Sequence, residues 1–226
     1  MAFSGLSGFS GFSPEAVTFY EGLVADNSKS YWLANRAVYD GEVRAAMDAL
    51  LADLDEFGPF HVFRPYNDAR FAKRRPPYKE HIAGISESEG GAVFYVQFSA
   101  TGIVLGSGYY SMASDQLERF RSAVDDEHSG PEIAAICACL ERAGCRIGAA
   151  SELKTAPRGF PKDHQRIALL RRKGLTSFRH FDVATWMHTK GVVSRVRHAW
   201  HECAELNAWL DTHVGPSTLP PPDHDR

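Results

Sequence analysis

Val93–Ser99 alternates strictly. Phe94, Val96 and Phe98 fall on one face and Tyr95, Gln97 and Ser99 on the other, the period of a half-buried strand. Ala100-Thr101-Gly102 then turns the chain, and Ile103–Tyr109 returns, so the pair predicts an antiparallel hairpin. Gly106 and Gly108 lie two apart in the return strand and leave one face bare. Bare backbone there admits a bulge, another chain segment or a ligand.

Helical patterns surround this hairpin. Ser13-Pro14-Glu15 reads as N-cap, first turn and acid at the positive end of a helix dipole, with Phe12 in the position of a hydrophobic staple. Val43, Met47, Leu50, Leu51 and Leu54 form a helical stripe within residues 30–57, which Gly58-Pro59 ends. Phe60–Arg64 reads as a short strand. Ser114 is expected to cap a helix bearing Leu117, Phe120 and Val124, and Gly130-Pro131 to open another bearing Ile133, Ile136, Cys137 and Leu140. Cys145–Ala149 and Leu175–Phe181 are expected strands. Asp163 is expected to cap a short helix carrying Ile167 and Leu170. A last long helix is expected over residues 192–213, with Val196, Trp200, Cys203, Leu206 and Leu210 inward.

Helices and a hairpin segregated in this way predict an α+β fold, an antiparallel sheet packed by several helices. The expected organisation is a flexible arm over residues 1–12, a single domain over 13–214 and a disordered proline-rich tail over 215–226.

Composition narrows the function classes. Apolar residues make up 44% and charged residues 23% of the 226, which excludes wholesale disorder and collagen. No apolar run reaches the roughly 18 residues of a membrane span. The N-terminus lacks the basic region of a secretory signal. Cys137, Cys139, Cys145 and Cys203 form no CxxC pair, so reduced thiols and a soluble, cytoplasmic protein are expected.

The net charge of −3 hides an uneven distribution. Residues 61–81 carry Arg64, Arg70, Lys73, Arg74, Arg75 and Lys79 against Asp68 and Glu80. Residues 152–173 carry Lys154, Arg158, Lys162, Arg166, Arg171, Arg172 and Lys173 against Glu152 and Asp163. Two concentrated basic stretches in an acidic protein point to a local anion site rather than a nucleic-acid coat. No DNA partner is expected.

In the first stretch, guanidinium forks suit carboxylate or phosphate. Arg64, Arg70, Lys73 and Lys79 are the candidate anion ligands, and Tyr66 and Tyr78 candidate hydroxyl donors or stacking faces. Asp68, between Arg64 and Arg70, orients a fork or acts as a base. In the second stretch Lys154 and Arg158 are candidate ligands and His164 a candidate proton carrier. The expectation is a basic cleft built from residues 64–79 and 154–164 that takes a small phosphate or carboxylate, with catalysis left open. The alternatives are an RNA- or protein-interaction module, and a structural network of Arg64, Asp68 and Arg70. His198 and His201 stand three apart, not in the HExxH arrangement, so no metal site is expected, and no cofactor signature is legible.

The run FRPYNDARFAKRRPPYKEHI resembles the hallmark of the domain of unknown function 2461 family, typically R-x-Y-R-D-x-R-F-x-K-x-x-x-P-Y-K. Tyr95–Ser99 with its glycine-rich return strand, Lys154–Phe160 leading into Asp163-His164, and Phe19, Tyr20, Asn35 and Tyr39 agree with it. The resemblance covers residues 12–212. It implies a single-domain α+β protein of bacteria and fungi and supplies no catalytic residue. It groups Arg64, Asp68, Arg70, Phe71, Lys73, Tyr78, Lys79, Lys154, Arg158 and Gly159 in one shared design. Asn67 stands where relatives often carry Arg, so that position is not an essential cation here.

Overall fold

A computed structural model describes residues 8–67, 75–86 and 91–220. The class is α+β. Helix α1 (Pro14–Ala25) starts where the cap signals place it: the Ser13 hydroxyl accepts from the Ala16 N–H at 3.2 Å. The expected helical region over 30–57 is broken into α2 (Lys29–Ala34), α3 (Arg36–Val38), a π turn (Tyr39–Arg44), α4 (Ala45–Ala52) and a 3-10 turn (Asp55–Phe57). Its stripe of Val43, Met47, Leu50, Leu51 and Leu54 is buried throughout.

Strands β1 (Phe60–Val62), β2 (His81–Ser86), β3 (Val93–Ser99) and β4 (Gly102–Tyr109) follow. After them come α5 (Ser114–Asp125), α6 (Ser129–Arg142), β5 (Arg146–Gly148), α7 (Ile167–Leu170), β6 (Leu175–Phe181), α8 (Gly191–Glu202) and α9 (Ala204–His213). The strands form one antiparallel sheet in the order β1-β2-β3-β4-β6-β5.

Three local expectations change. Ser114 is the first helical residue of α5 rather than its cap; Ala113 precedes it, and the Gln116 carboxamide accepts the Ala113 N–H at 3.0 Å. Asp163 lies in a turn, because α7 begins only at Ile167 after Arg166. The last helix is interrupted at Cys203, whose ψ of 2° leaves the helical range.

The described residues fall into two compact units. The first draws on the chain up to residue 86, Tyr95–Leu105 and His180–Ala199. In its core, α1 and α4 cover the face of the sheet bearing Gly84 and Phe98. A side chain at Gly84 would strike Leu51, and Tyr20 and Phe12 meet Phe98. Residues 8–12, assigned from sequence to a flexible arm, are packed. Phe9 and Phe12 are buried, the Phe9 N–H donates to Asp53 Oδ2 at 3.0 Å, and the Phe12 N–H to the Met187 carbonyl at 2.9 Å. Interspersed glycine and serine suggest disorder, but two phenylalanines inserted in a core outweigh them.

The second unit holds residues 91–94, Gly106–Arg179 and the chain from Trp200. Its core gathers Phe120 and Val124 of α5, Ile133, Cys137 and Leu140 of α6, Leu170, Leu175, and Leu206, Trp209 and Leu210 of α9. None of the four cysteines is in a disulfide, and burial pushes the Cys137 and Cys203 thiols up to about 11, as small hydrophobes rather than nucleophiles. The start of the expected tail is tied down: Gln116 Nε2 donates to the Gly215 carbonyl at 2.8 Å, and the Asp115 carboxylate accepts from the Ser217 hydroxyl and the Thr218 N–H, each at 2.8 Å. Those bonds hold Asp115 well below the usual carboxylate range.

Candidate functional site

In the first unit, β1 pairs with β2 so that His61 faces Ile85, and β2 pairs with β3 so that His81 faces Ser99, Ala83 faces Gln97 and Ile85 faces Tyr95. Paired residues share a face. The side of this sheet away from α1 and α4 therefore presents His61, His81, Tyr95 and Gln97, with the Tyr95 hydroxyl bonded to Gln97 Oε1 at 2.7 Å. The sequence reading missed β2, because His81–Ser86 lacks strict alternation; its pairing on both sides makes it a strand.

The chain between β1 and β2 continues that pairing, shifted by two residues past a bend at Glu80. The Phe63 N–H donates to the Ala83 carbonyl at 3.0 Å, the Lys79 N–H to the Pro65 carbonyl at 2.7 Å and the Asn67 N–H to the Pro77 carbonyl at 2.9 Å, with Tyr66 and Tyr78 bridged. Two asparagines close it. Asn67 Nδ2 donates to the Pro76 and Tyr78 carbonyls, at 2.8 and 3.1 Å. Asn67 is thereby a structural residue that ties two carbonyls together. Asn27 treats Tyr78 as a neighbouring strand would, accepting its N–H at 3.0 Å and donating to its carbonyl at 3.1 Å. Asn27→Ala strands the Tyr78 N–H on a buried residue, while its carbonyl keeps the Asn67 bond. It is expected to cost about 2 kcal/mol, read as faster hydrogen exchange at the Tyr78 amide.

The frame separates the sequence candidates. Tyr78 is buried and stacks on Trp32 at 4.5 Å and 10°, and exposed Tyr66 lies 5.8 Å from the same indole. Burial raises the Tyr78 hydroxyl; both rings serve the aromatic cluster of α2. Lys79 is half-buried with Nζ 5.1 Å from the Phe63 ring centroid. Removal from water and the nearby charge of Arg64 lower its pKa. His81 is likewise lowered, by burial and then by Lys79. The structure thus brings together Phe63, Arg64, Lys79 and His81. Of these, the sequence reading missed Phe63 and His81, and the signal for His81 was its place two residues after Lys79 on an unrecognised strand. Asp68, Arg70 and Lys73 lie outside the described residues.

Lys154, Arg158 and His164 belong to the second unit. Lys154 and Arg158 are exposed and make no ion pair among the described residues. His164 is engaged at both ring nitrogens: Nδ1 accepts the Arg166 N–H, and Nε2 meets Asp125 Oδ1, each at 3.0 Å. It braces the loop. Arg166 donates to the Val124 and Asp125 carbonyls, closing the C-terminus of α5, and Arg171 to the Leu153 carbonyl. Much of this basic stretch therefore works as backbone caps. A groove of about 660 Å³ in the same unit is lined by Arg119, Asp126, His128, Glu132 and His213. Asp126 is spent there on the Ser129 and His128 N–H groups, and Arg119 on the Val214 carbonyl. Among the described residues no cluster of metal-ligating side chains occurs, and no helix is long and apolar enough to cross a membrane.

Comparison with curated proteins and with solved structures finds no match for this chain. The family model described as conserved hypothetical protein (DUF2461) matches residues 15–209, a span that takes in both basic stretches, the hairpin and α8. The chain belongs to that family.

Proposed function

We propose that this protein binds a small anion, a phosphate or carboxylate, at Arg64, Lys79 and His81 in the first unit. One observation carries the reading: Lys79 is half-buried beside Arg64, and no carboxylate pairs with it among the described residues. Withdrawing the Lys79 ammonium from water costs folding energy unless something offsets it. A bound anion supplies a countercharge to the Lys79 ammonium, and each charge-assisted hydrogen bond is worth about 1.5–3 kcal/mol. Tyr66, Tyr78, Lys154, Arg158 and His164 are not needed for this site.

Thermal denaturation against inorganic phosphate, sugar phosphates and organic acids tests it. A ligand at a hundred times its Kd stabilises by about 2.7 kcal/mol. That stabilisation is expected to vanish in Lys79→Met and to shrink in Arg64→Ala. Without ligand, Lys79→Met is expected to melt at or above the parent temperature, because it removes a repelled cation. A panel without stabilisation, or a hit that Lys79→Met retains, overturns the reading.

The pH dependence has a definite sign. In the free protein the His81 pKa is lowered below 6.5, so this group's contribution to stability falls as pH drops below about 6.5 towards the folded value. A bound anion raises that pKa. Binding therefore takes up a proton and tightens as pH falls through the same window.

A further inference from the structure

We infer that the groove between α6 and α9 is a docking site for an amphipathic helix of a partner protein, one whose apolar face is flanked by lysine or arginine. The inference is independent of the anion site, whose residues belong to the other unit. The Trp209 indole N–H donates to the Ser129 carbonyl at 3.1 Å, and Glu132 and His213 line the groove together. The start of α6 therefore lies beside the end of α9, and the two helices run antiparallel. The groove between them has a volume of about 530 Å³. Half-buried Ile136 and buried Trp209 form its floor, and exposed Ala135, Cys139 and Ala208 its walls. Trp209 spends its one polar atom on Ser129, so the floor is apolar. The wall side chains are short, so a third helix can approach closely.

The spacing of the lining fixes the kind of partner. Glu132 to Cys139 on α6 and Glu205 to Thr212 on α9 each contribute at i, i+3, i+4 and i+7. That is two turns of one helix face, about 10 Å long. An apolar face of the same period on a partner helix fits such a groove. Charge sets the rest. Because the helices are antiparallel, Glu132 and Glu205 stand at opposite ends, on opposite walls. Both are exposed, and no cation pairs with either among the described residues. By contrast, Asp115 and Glu202 of the same unit are taken by Arg119 and Arg179. A helix with cations on both flanks meets one carboxylate at each end of the groove. Those two contacts orient it and turn away an acidic competitor.

The test uses the full chain and a fluorescein-labelled synthetic helix of about 15 residues, with leucine at i, i+3, i+4 and i+7 and lysine on both flanks. A saturable rise in anisotropy is expected, with slower alkylation of exposed Cys139 by N-ethylmaleimide, read by peptide mapping. The same peptide with glutamate flanks is expected to bind about tenfold more weakly. Glu132→Lys combined with Glu205→Lys, both on exposed positions, is expected to reverse that preference. Ala208→Gln, which fills the groove without adding charge, is expected to weaken both peptides. Equal binding of the two peptides, equal binding of a scrambled peptide of the lysine composition, or an unprotected Cys139 overturns the inference. A dimer of the full chain that itself shields Cys139 also overturns it, because the groove then belongs to a second copy.

Discussion

Phe12→Ala is expected to lower stability by about 3–5 kcal/mol, on the order of 10 °C in melting temperature. Phe12 closes a stretch that reads as a flexible arm, and truncation there should be harmless if that reading held. Instead the ring is fully buried, lies 4.0 Å from Phe98 at an interplanar angle of 7°, and meets Phe9 edge-on at 5.3 Å. Removing it loses the transfer energy of an aromatic side chain and leaves a cavity that the β3 strand cannot collapse to fill. Leu33→Ala is the control: that side chain is 61% exposed and its loss should be nearly neutral. Equal melting temperatures for the two variants would show that residues 8–12 do not contribute to the core.

Gly108→Ala is expected to cost about 3 kcal/mol, through two separable effects. Gly108 has φ +117°, which L side chains rarely adopt, worth about 1–3 kcal/mol in strain. An added Cβ would also press on the Leu175 carbonyl and lie 3.0 Å from Thr176 Cα, backbone that cannot swing aside. Gly144→Ala separates the two, since φ there is +89° but nothing lies within 4 Å. Thermal denaturation of both variants should place Gly108→Ala clearly lower; equal losses would mean that close approach contributes nothing.

The two glycines of β4 show how much was legible. Their spacing announced a bare face, and of the three occupants weighed from sequence the structure selects another chain segment: Gly106 faces the Phe178 ring, and Gly108 the backbone at Leu175. Elements with strong local signals, the cap of α1, the alternation of β3 and the turn into β4, stand where the sequence put them. Elements set by tertiary partners do not. Strand β2 has no alternation because consecutive residues, Ile82, Ala83 and Gly84, are buried on both of its faces, and the π turn at Tyr39–Arg44 has no local signature. The candidate site was half legible. Arginine and lysine enrichment located Arg64 and Lys79, but composition could not say that Arg166, Arg171 and Arg172 are committed to carbonyls and Glu152, or that His164 braces a loop. Charge counts do not reveal which cations the fold has already used.

The two compact units are interleaved along the polypeptide. Residues 180–199 return to complete the first, and the core of the second needs Leu206, Trp209 and Leu210. No single cut yields either unit whole. During synthesis neither can close until its late helix has cleared the ribosomal tunnel, so the apolar residues of each unit made earlier stay exposed until that helix emerges.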